Sequence, residues 1–172
     1  MTTVVVLEQI ATPEDQKEVI RLLSTLDLQP FQDNDMVKVA PPTPEVLALV
    51  KKYGDALIGA TRQLYNIDEP LYTHMGFLSY WQPGTFAGAH VDSHGYDFLT
   101  QTGLVYINDD YEGGEIYFPN QDVEIKPEAA SAVLFPAQGE INFHGVREVK
   151  GHRYTIAFWF TPDLSKANPD LL

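Results

Sequence analysis

Leu104-Val105-Tyr106-Ile107, Glu115-Ile116-Tyr117-Phe118, Ala132-Val133-Leu134-Phe135 and Tyr154-Thr155-Ile156-Ala157-Phe158-Trp159-Phe160 are short runs dense in β-branched and aromatic residues. Such residues suit a pleated, half-buried surface. Asn108-Asp109-Asp110, Gly113-Gly114 and Lys150-Gly151 punctuate them with turn chemistry. Leu71 to Trp81 and Ile141 to Val146 read the same way, and Pro83-Gly84 marks a turn after the first. Many short strands at regular spacing predict a β-sandwich or barrel. Toward the N-terminus the texture becomes helical. Thr12-Pro13-Glu14-Asp15 offers an N-cap, a proline at the first helical position and an acid at the third, followed by Val19, Leu22, Leu23 and Leu26 at helical spacing. Thr43-Pro44-Glu45 starts a second helix, whose stripe Val46, Leu49, Val50, Tyr53, Leu57 and Leu64 is long enough for about five turns. Asp27 to Pro42 reads as a polar loop and Thr3 to Ile10 as a strand. The expectation is a mainly β fold with α: one domain over 1–172, with strand and helices in 1–69, a β core in 70–162 and a short tail in 163–172.

The 172 residues suffice for one hydrophobic core without disulfides or metal staples. With 44% hydrophobic and 20% charged residues, the composition is that of a folded chain. Val4-Val5-Val6-Leu7 lacks a basic flank and a small-residue cleavage site, so neither a signal peptide nor a membrane span is expected, and a cytoplasmic setting follows by default. The absence of cysteine excludes disulfides, thiolate metal sites and cysteine nucleophiles, leaving His and carboxylates as the strong metal ligands. Eleven Lys and Arg against 24 Asp and Glu give a net charge of −13, and no Lys or Arg occurs between Gln63 and Ile125. Such a surface disfavours nucleic acid, whose affinity for proteins rests on basic residues displacing counterions. Its acidity serves solubility or a preference for cationic substrates.

In Gly88-Ala89-His90-Val91-Asp92, period-2 alternation in an extended segment points His90 and Asp92 the same way. A neighbouring strand can bring His144 to the same point. Two His and one carboxylate on one face of a metal leave positions open, the arrangement of non-haem Fe(II) oxygenases. His-x-Asp alone also occurs by chance, as a pair of ordinary surface or core groups. Arg153 follows His144 by nine residues across a turn, so an antiparallel hairpin would carry both into one cavity. An arginine among apolar residues needs an anionic partner, either a structural salt bridge to one of the many acids or a bound carboxylate, which its planar fork suits.

At this point the chain resembles the Fe(II)- and 2-oxoglutarate-dependent dioxygenases of the prolyl 4-hydroxylase type. The resemblance runs from Tyr80 to Phe160 in order: Tyr80 ten residues before His90, the His90/Asp92 pair, Val105-Tyr106-Ile107-Asn108, the Gly-Gly-Glu-x-x-Phe of Gly113 to Phe118, Phe135-Pro136, His144, and Gly151-x-Arg153-Tyr154 ending in Trp159-Phe160. It implies a double-stranded β-helix core (jelly-roll, cupin-like) backed by the N-terminal helices. It further implies that His90, Asp92 and His144 bind iron, that Arg153 with the Tyr106 hydroxyl holds the distal carboxylate of 2-oxoglutarate, and that Tyr80 lines the cosubstrate pocket. Trp159, six residues past Arg153 on the same strand face, would wall the substrate cavity. The implied reaction consumes O2 and 2-oxoglutarate, releases succinate and CO2, and hydroxylates a C–H bond of a prolyl residue in a peptide or protein; family habit adds ascorbate as the iron reductant.

Two departures bear on substrate. Many prolyl 4-hydroxylases carry lysine where this chain has Arg153, and nucleic-acid demethylases of the same superfamily carry a second arginine where it has Trp159. The second departure again speaks against nucleic acid. His94 is a candidate for a substrate contact or a solvated loop residue; His74 and His152 read as structural. Gly113-Gly114 reads as a turn or bulge with positive φ, and Asp109, Asp110 and Glu112 as a solvated turn or a substrate clamp. Gln82 to Ala89 and Ser93 to Thr102 flank the metal motif and would close over substrate. A free amino acid such as proline is the alternative substrate. A cupin-like metalloenzyme without 2-oxoglutarate and a non-catalytic binding module are the alternative functions.

Overall fold

Threonine caps start both helices where the sequence places them. In the computed structural model, which describes residues 2–172, the Thr12 hydroxyl accepts from the Asp15 amide and opens α1 (Pro13–Thr25), and Thr43 does the same from Val46 for α2 (Pro44–Leu64). Thirteen strands accompany them: β1 (Val5–Leu7), β2 (Gln29–Phe31), β3 (Asn34–Val39), β4 (Tyr72–Trp81), β5 (Ala87–His90), β6 (Gln101–Tyr106), β7 (Glu112–Gly113), β8 (Ile116–Phe118), β9 (Val123–Ile125), β10 (Ala132–Pro136), β11 (His144–Val146), β12 (Val149–Lys150) and β13 (Arg153–Thr161).

The strands form a large sheet in the order β1-β10-β6-β13-β4-β3-β2, a smaller one in the order β5-β11-β8-β9, and the ribbon β12-β7. All pairings are antiparallel. This is the double-stranded β-helix, with the helices on the outer face of the large sheet. Alternation along its strands sorts the side chains. Leu78, Val105, Leu134, Ile156, Phe158 and Phe160 pack outward against Val19, Leu22, Val50, Tyr53 and Leu57 of the helices. Ser79, Trp81, Thr102, Leu104, Arg153, Thr155 and Trp159 face the smaller sheet instead, and a cavity of about 390 Å³ lies between the two.

Three local expectations are corrected. Residues 27–42 are not a loop: β2 and β3 form a hairpin that extends the large sheet through Val37↔Trp81 and Val39↔Ser79. Its Pro30, Asp33 and Asn34 read as turn chemistry, while the β4 edge supplies the ladder partners from forty or more residues away. The first half of 141–146 is a 3-10 turn, Glu140–Asn142, so a strand begins only at His144. His144 and Arg153 do not share a hairpin. β11 belongs to the small sheet and β13 to the large one, and the two residues meet by facing each other across the cavity.

Candidate metal centre and anion pocket

β5 and β11 are adjacent, with His90 directly opposite His144. Strand β5 ends at His90, so Asp92 is aimed back by the turn that follows rather than by strand alternation. Its Oδ1 lies 3.2 Å from His90 Nε2 and 3.6 Å from His144 Nε2. One ligating atom from each of the three residues falls within 4.8 Å of the others.

Surrounding groups decide which atoms face the centre. Nδ1 of His90 is 2.7 Å from the Gly88 carbonyl and Nδ1 of His144 is 2.9 Å from that of Asn142. A carbonyl only accepts, so both Nδ1 atoms carry the proton and both Nε2 atoms turn lone pairs inward. The Thr102 hydroxyl donates to Asp92 Oδ2 at 2.7 Å, leaving Oδ1 for the centre. Burial pushes the Asp92 carboxyl up, but the neighbouring His90 and His144 imidazoles and the Thr102 bond outweigh it and hold the group below the usual carboxylate range. Contact with Asp92 raises His90, while burial lowers His144. Two lone pairs and an anionic oxygen thus converge on one point, an arrangement that a divalent cation stabilises. Nitrogen and oxygen donors without thiolate, on one side of that point, fit Fe(II).

Across the cavity, Arg153 is 1% exposed, yet no carboxylate lies within salt-bridge distance among the described residues. Its guanidinium sits 4.3 Å from the Trp81 ring centroid and 5.6 Å from that of Tyr106. Nε and Nη1 have no hydrogen-bond partner, and neither has the Tyr106 hydroxyl. A buried unpaired charge is among the costliest features a fold retains. The structural salt bridge that the sequence left open is therefore absent, and the donors fit a carboxylate from outside the chain.

Trp159 lines this cavity, and with Phe31, His90 and Asp92 it also lines a second, outer cavity of about 320 Å³. His94 reaches that outer cavity alongside His74, Met75 and Tyr96. Tyr80 is a correction. It points to the helix side of the large sheet, stacks on Tyr154 and bonds His152 Nδ1 at 2.6 Å. Its neighbour Trp81 occupies the cavity face, because a shift of one residue in a strand exchanges the two faces. Gly113 and Gly114 adopt φ of +72° and +71° in the turn, as expected. Asp109 and Asp110 are engaged locally, with the Ala129 amide and the Asn108 side chain. Sequence reading passed over Trp81, Thr102 and Tyr111. Thr102 sits one strand face and ten residues from Asp92, a relation no local pattern displays.

The sequence model of the 2OG-Fe(II) oxygenase superfamily matches residues 75–161, half of the chain, including the His-Asp-His triad and Arg153. The chain belongs to this superfamily. Human prolyl 3-hydroxylase 2 is 43% identical to this oxygenase over 74 residues, which make up 40% of this chain and 10% of that protein, so the match spans about a tenth of the relative's length. A 2OG-Fe(II) oxygenase family oxidoreductase from Burkholderia pseudomallei superposes with a TM-score of 0.77 at 14% identity, covering 94% of this chain and 85% of that one. A Trichoplax adhaerens prolyl hydroxylase, in complex with a hypoxia inducible factor oxygen degradation domain peptide fragment, superposes at 0.74 and 19% identity, covering 93% and 84%. At those identities the superpositions speak for the fold, and this oxygenase shares it. No helix among its described residues is long and apolar enough to cross a membrane.

Proposed function

We propose that this oxygenase hydroxylates a prolyl residue of a peptide or protein, using Fe(II), 2-oxoglutarate and O2 and releasing succinate and CO2. One observation carries the reading: three metal donors and an unpartnered buried arginine open into one cavity. His90 Nε2, Asp92 Oδ1 and His144 Nε2 would hold the metal, and Arg153 with the Tyr106 hydroxyl would hold the distal carboxylate of the cosubstrate. When bound, the metal, cosubstrate and dioxygen supply the oxidising chemistry that inserts oxygen into a C–H bond.

The chain's own residues orient and shield that chemistry. Thr102 and the Gly88 and Asn142 carbonyls fix which atom of each ligand faces the metal. Trp81 supports the guanidinium from one side, and Phe118 and Phe135 pack on the His144 ring and keep water from it. The outer cavity begins at His90 and Asp92, and its Phe31, Met75, Tyr96 and Trp159 offer apolar and aromatic contact suited to a pyrrolidine ring. Prolyl 3-hydroxylase 2 and the peptide-bound Trichoplax enzyme support a peptidyl substrate over a free amino acid. Ascorbate as the reductant belongs to the same proposal. A cupin-like enzyme without 2-oxoglutarate would leave Arg153 buried to no purpose.

The test is anaerobic addition of 2-oxoglutarate to the Fe(II)-loaded protein, followed by visible absorption. A metal-to-ligand charge-transfer band that disappears in His144→Ala supports the reading; iron binding without the band overturns it. Proline-containing peptides and free proline, assayed together for a mass gain of one oxygen atom, then separate the two substrate classes.

A further inference from the structure

Tyr111 leads into the β7–β12 ribbon beside Arg153. Its hydroxyl is fully buried and has no hydrogen-bond partner. Burial pushes that hydroxyl up to about 12, so it keeps its proton at neutral pH and can act as a donor. The Tyr106 hydroxyl, likewise buried, is also pushed up. Both rings lie in the field of the Arg153 guanidinium.

Two glycines make room for the Tyr111 ring. A Cβ on Gly114, at φ +71°, would stand 2.9 Å from Tyr111 Cε2 and 3.5 Å from Arg153 Cδ, which places the ring and the arginine stem against the same point of the turn. A Cβ on Gly151, at φ +140°, would stand 2.6 Å from Tyr111 Cβ. The turns on both sides of the ribbon are thus built around this side chain, although its hydroxyl has only the neighbouring Arg153 to interact with and makes no hydrogen bond of standard geometry.

We infer that Tyr111 is a further cosubstrate-positioning residue, its hydroxyl donating with that of Tyr106 to the distal carboxylate that Arg153 receives. The inference rests on the oxygenase reading above. A carboxylate presents about four lone-pair directions. Arg153, whose guanidinium borders the cavity, and the Tyr106 and Tyr111 hydroxyls behind it are three buried donor groups without partners. One side of the guanidinium serves only part of a carboxylate and leaves lone-pair directions for both hydroxyls, whereas a site with Arg153 and Tyr106 alone leaves Tyr111 unexplained. The residue selects for the far end of the molecule, so it distinguishes dicarboxylic from monocarboxylic 2-oxo acids.

The experiment is calorimetric titration of the Mn(II)-loaded protein with 2-oxoglutarate and, separately, with pyruvate, which has the 2-oxo acid end but no distal carboxylate. Tyr111→Phe should weaken 2-oxoglutarate about ten- to hundredfold, the effect of losing one hydrogen bond to a charged group. Its pyruvate and Mn(II) affinities should equal those of the wild type. Without ligand, Tyr111→Phe should melt at the same temperature or higher, because an unsatisfied buried hydroxyl has been removed, while its stabilisation by 2-oxoglutarate falls. Unchanged 2-oxoglutarate affinity, or equal weakening of both ligands, overturns the inference. A lowered melting temperature without ligand also overturns it, since the hydroxyl would then be structural. Should the wild type bind Mn(II) but no 2-oxoglutarate, the oxygenase reading itself falls, a result distinct from any of these.

Discussion

The two sides of the cavity are finished differently. On the small-sheet side, every outer atom of the proposed metal ligands is committed: both Nδ1 atoms to backbone carbonyls and Asp92 Oδ2 to Thr102. Around Arg153, on the large sheet and the adjoining ribbon, the guanidinium Nε and Nη1 and two phenol hydroxyls are buried without hydrogen-bond partners. The first arrangement orients groups whose partner is a point charge, and the protein completes it alone. The second holds donors in a low dielectric, where each unpaired group destabilises the fold until a ligand arrives. A site that is costly without its ligand and satisfied with it couples binding to stability.

The strongest way to break the contrast is to remove a ligand on the finished side. Asp92→Ala and His144→Ala each leave two donors, and Fe(II) binding is expected to vanish from calorimetric titration while the β-helix melts cooperatively as before. On the other side the sign reverses. Arg153→Met replaces an unpaired buried charge by an apolar chain of similar length, so the ligand-free protein should be equally stable or more so, by up to about 3 kcal/mol. The same variant should lose 2-oxoglutarate by at least about a hundredfold. Denaturant melts with and without 2-oxoglutarate check both halves; a destabilised ligand-free Arg153→Met would erase the contrast.

Smaller changes sharpen it. Thr102→Val frees Asp92 Oδ2 without touching a ligand, and Fe(II) affinity should fall about ten- to hundredfold, read by competition with a chelating dye. Tyr80→Phe tests the corrected face assignment: 2-oxoglutarate affinity should be unchanged, and only the bond to His152 is lost, about 1 kcal/mol of stability in a urea melt.

The triad and Arg153 were legible because their signals are local: a His-x-Asp pair, a later His in an apolar run, an arginine within a hydrophobic strand. The helices were legible for the same reason, through Thr-Pro-Glu starts and stripes of period 3.6. Tyr80 misled because a strand residue and its neighbour differ only in face, and spacing counted through the Gln82–Phe86 turn does not preserve the phase of the alternation. The β2–β3 hairpin was invisible because Pro30 and Asn34 carry turn signals, whereas its strand character comes from the edge of β4.

Sequence alone determined the chemical inventory: no thiol, histidines and carboxylates as the available ligands, an acidic surface without basic residues from Gln63 to Ile125, and two helices ahead of many strands. Those properties are sums over residues or patterns within a few turns of chain, so no fold is needed to read them. Tertiary structure decided that Trp81 rather than Tyr80 meets the cavity, that His144 faces Arg153 from the opposite sheet, and that among the described residues no acid comes within salt-bridge reach of Arg153. Whether a charge is paired depends on where every opposite charge ends up, and only the packed sheets settle that.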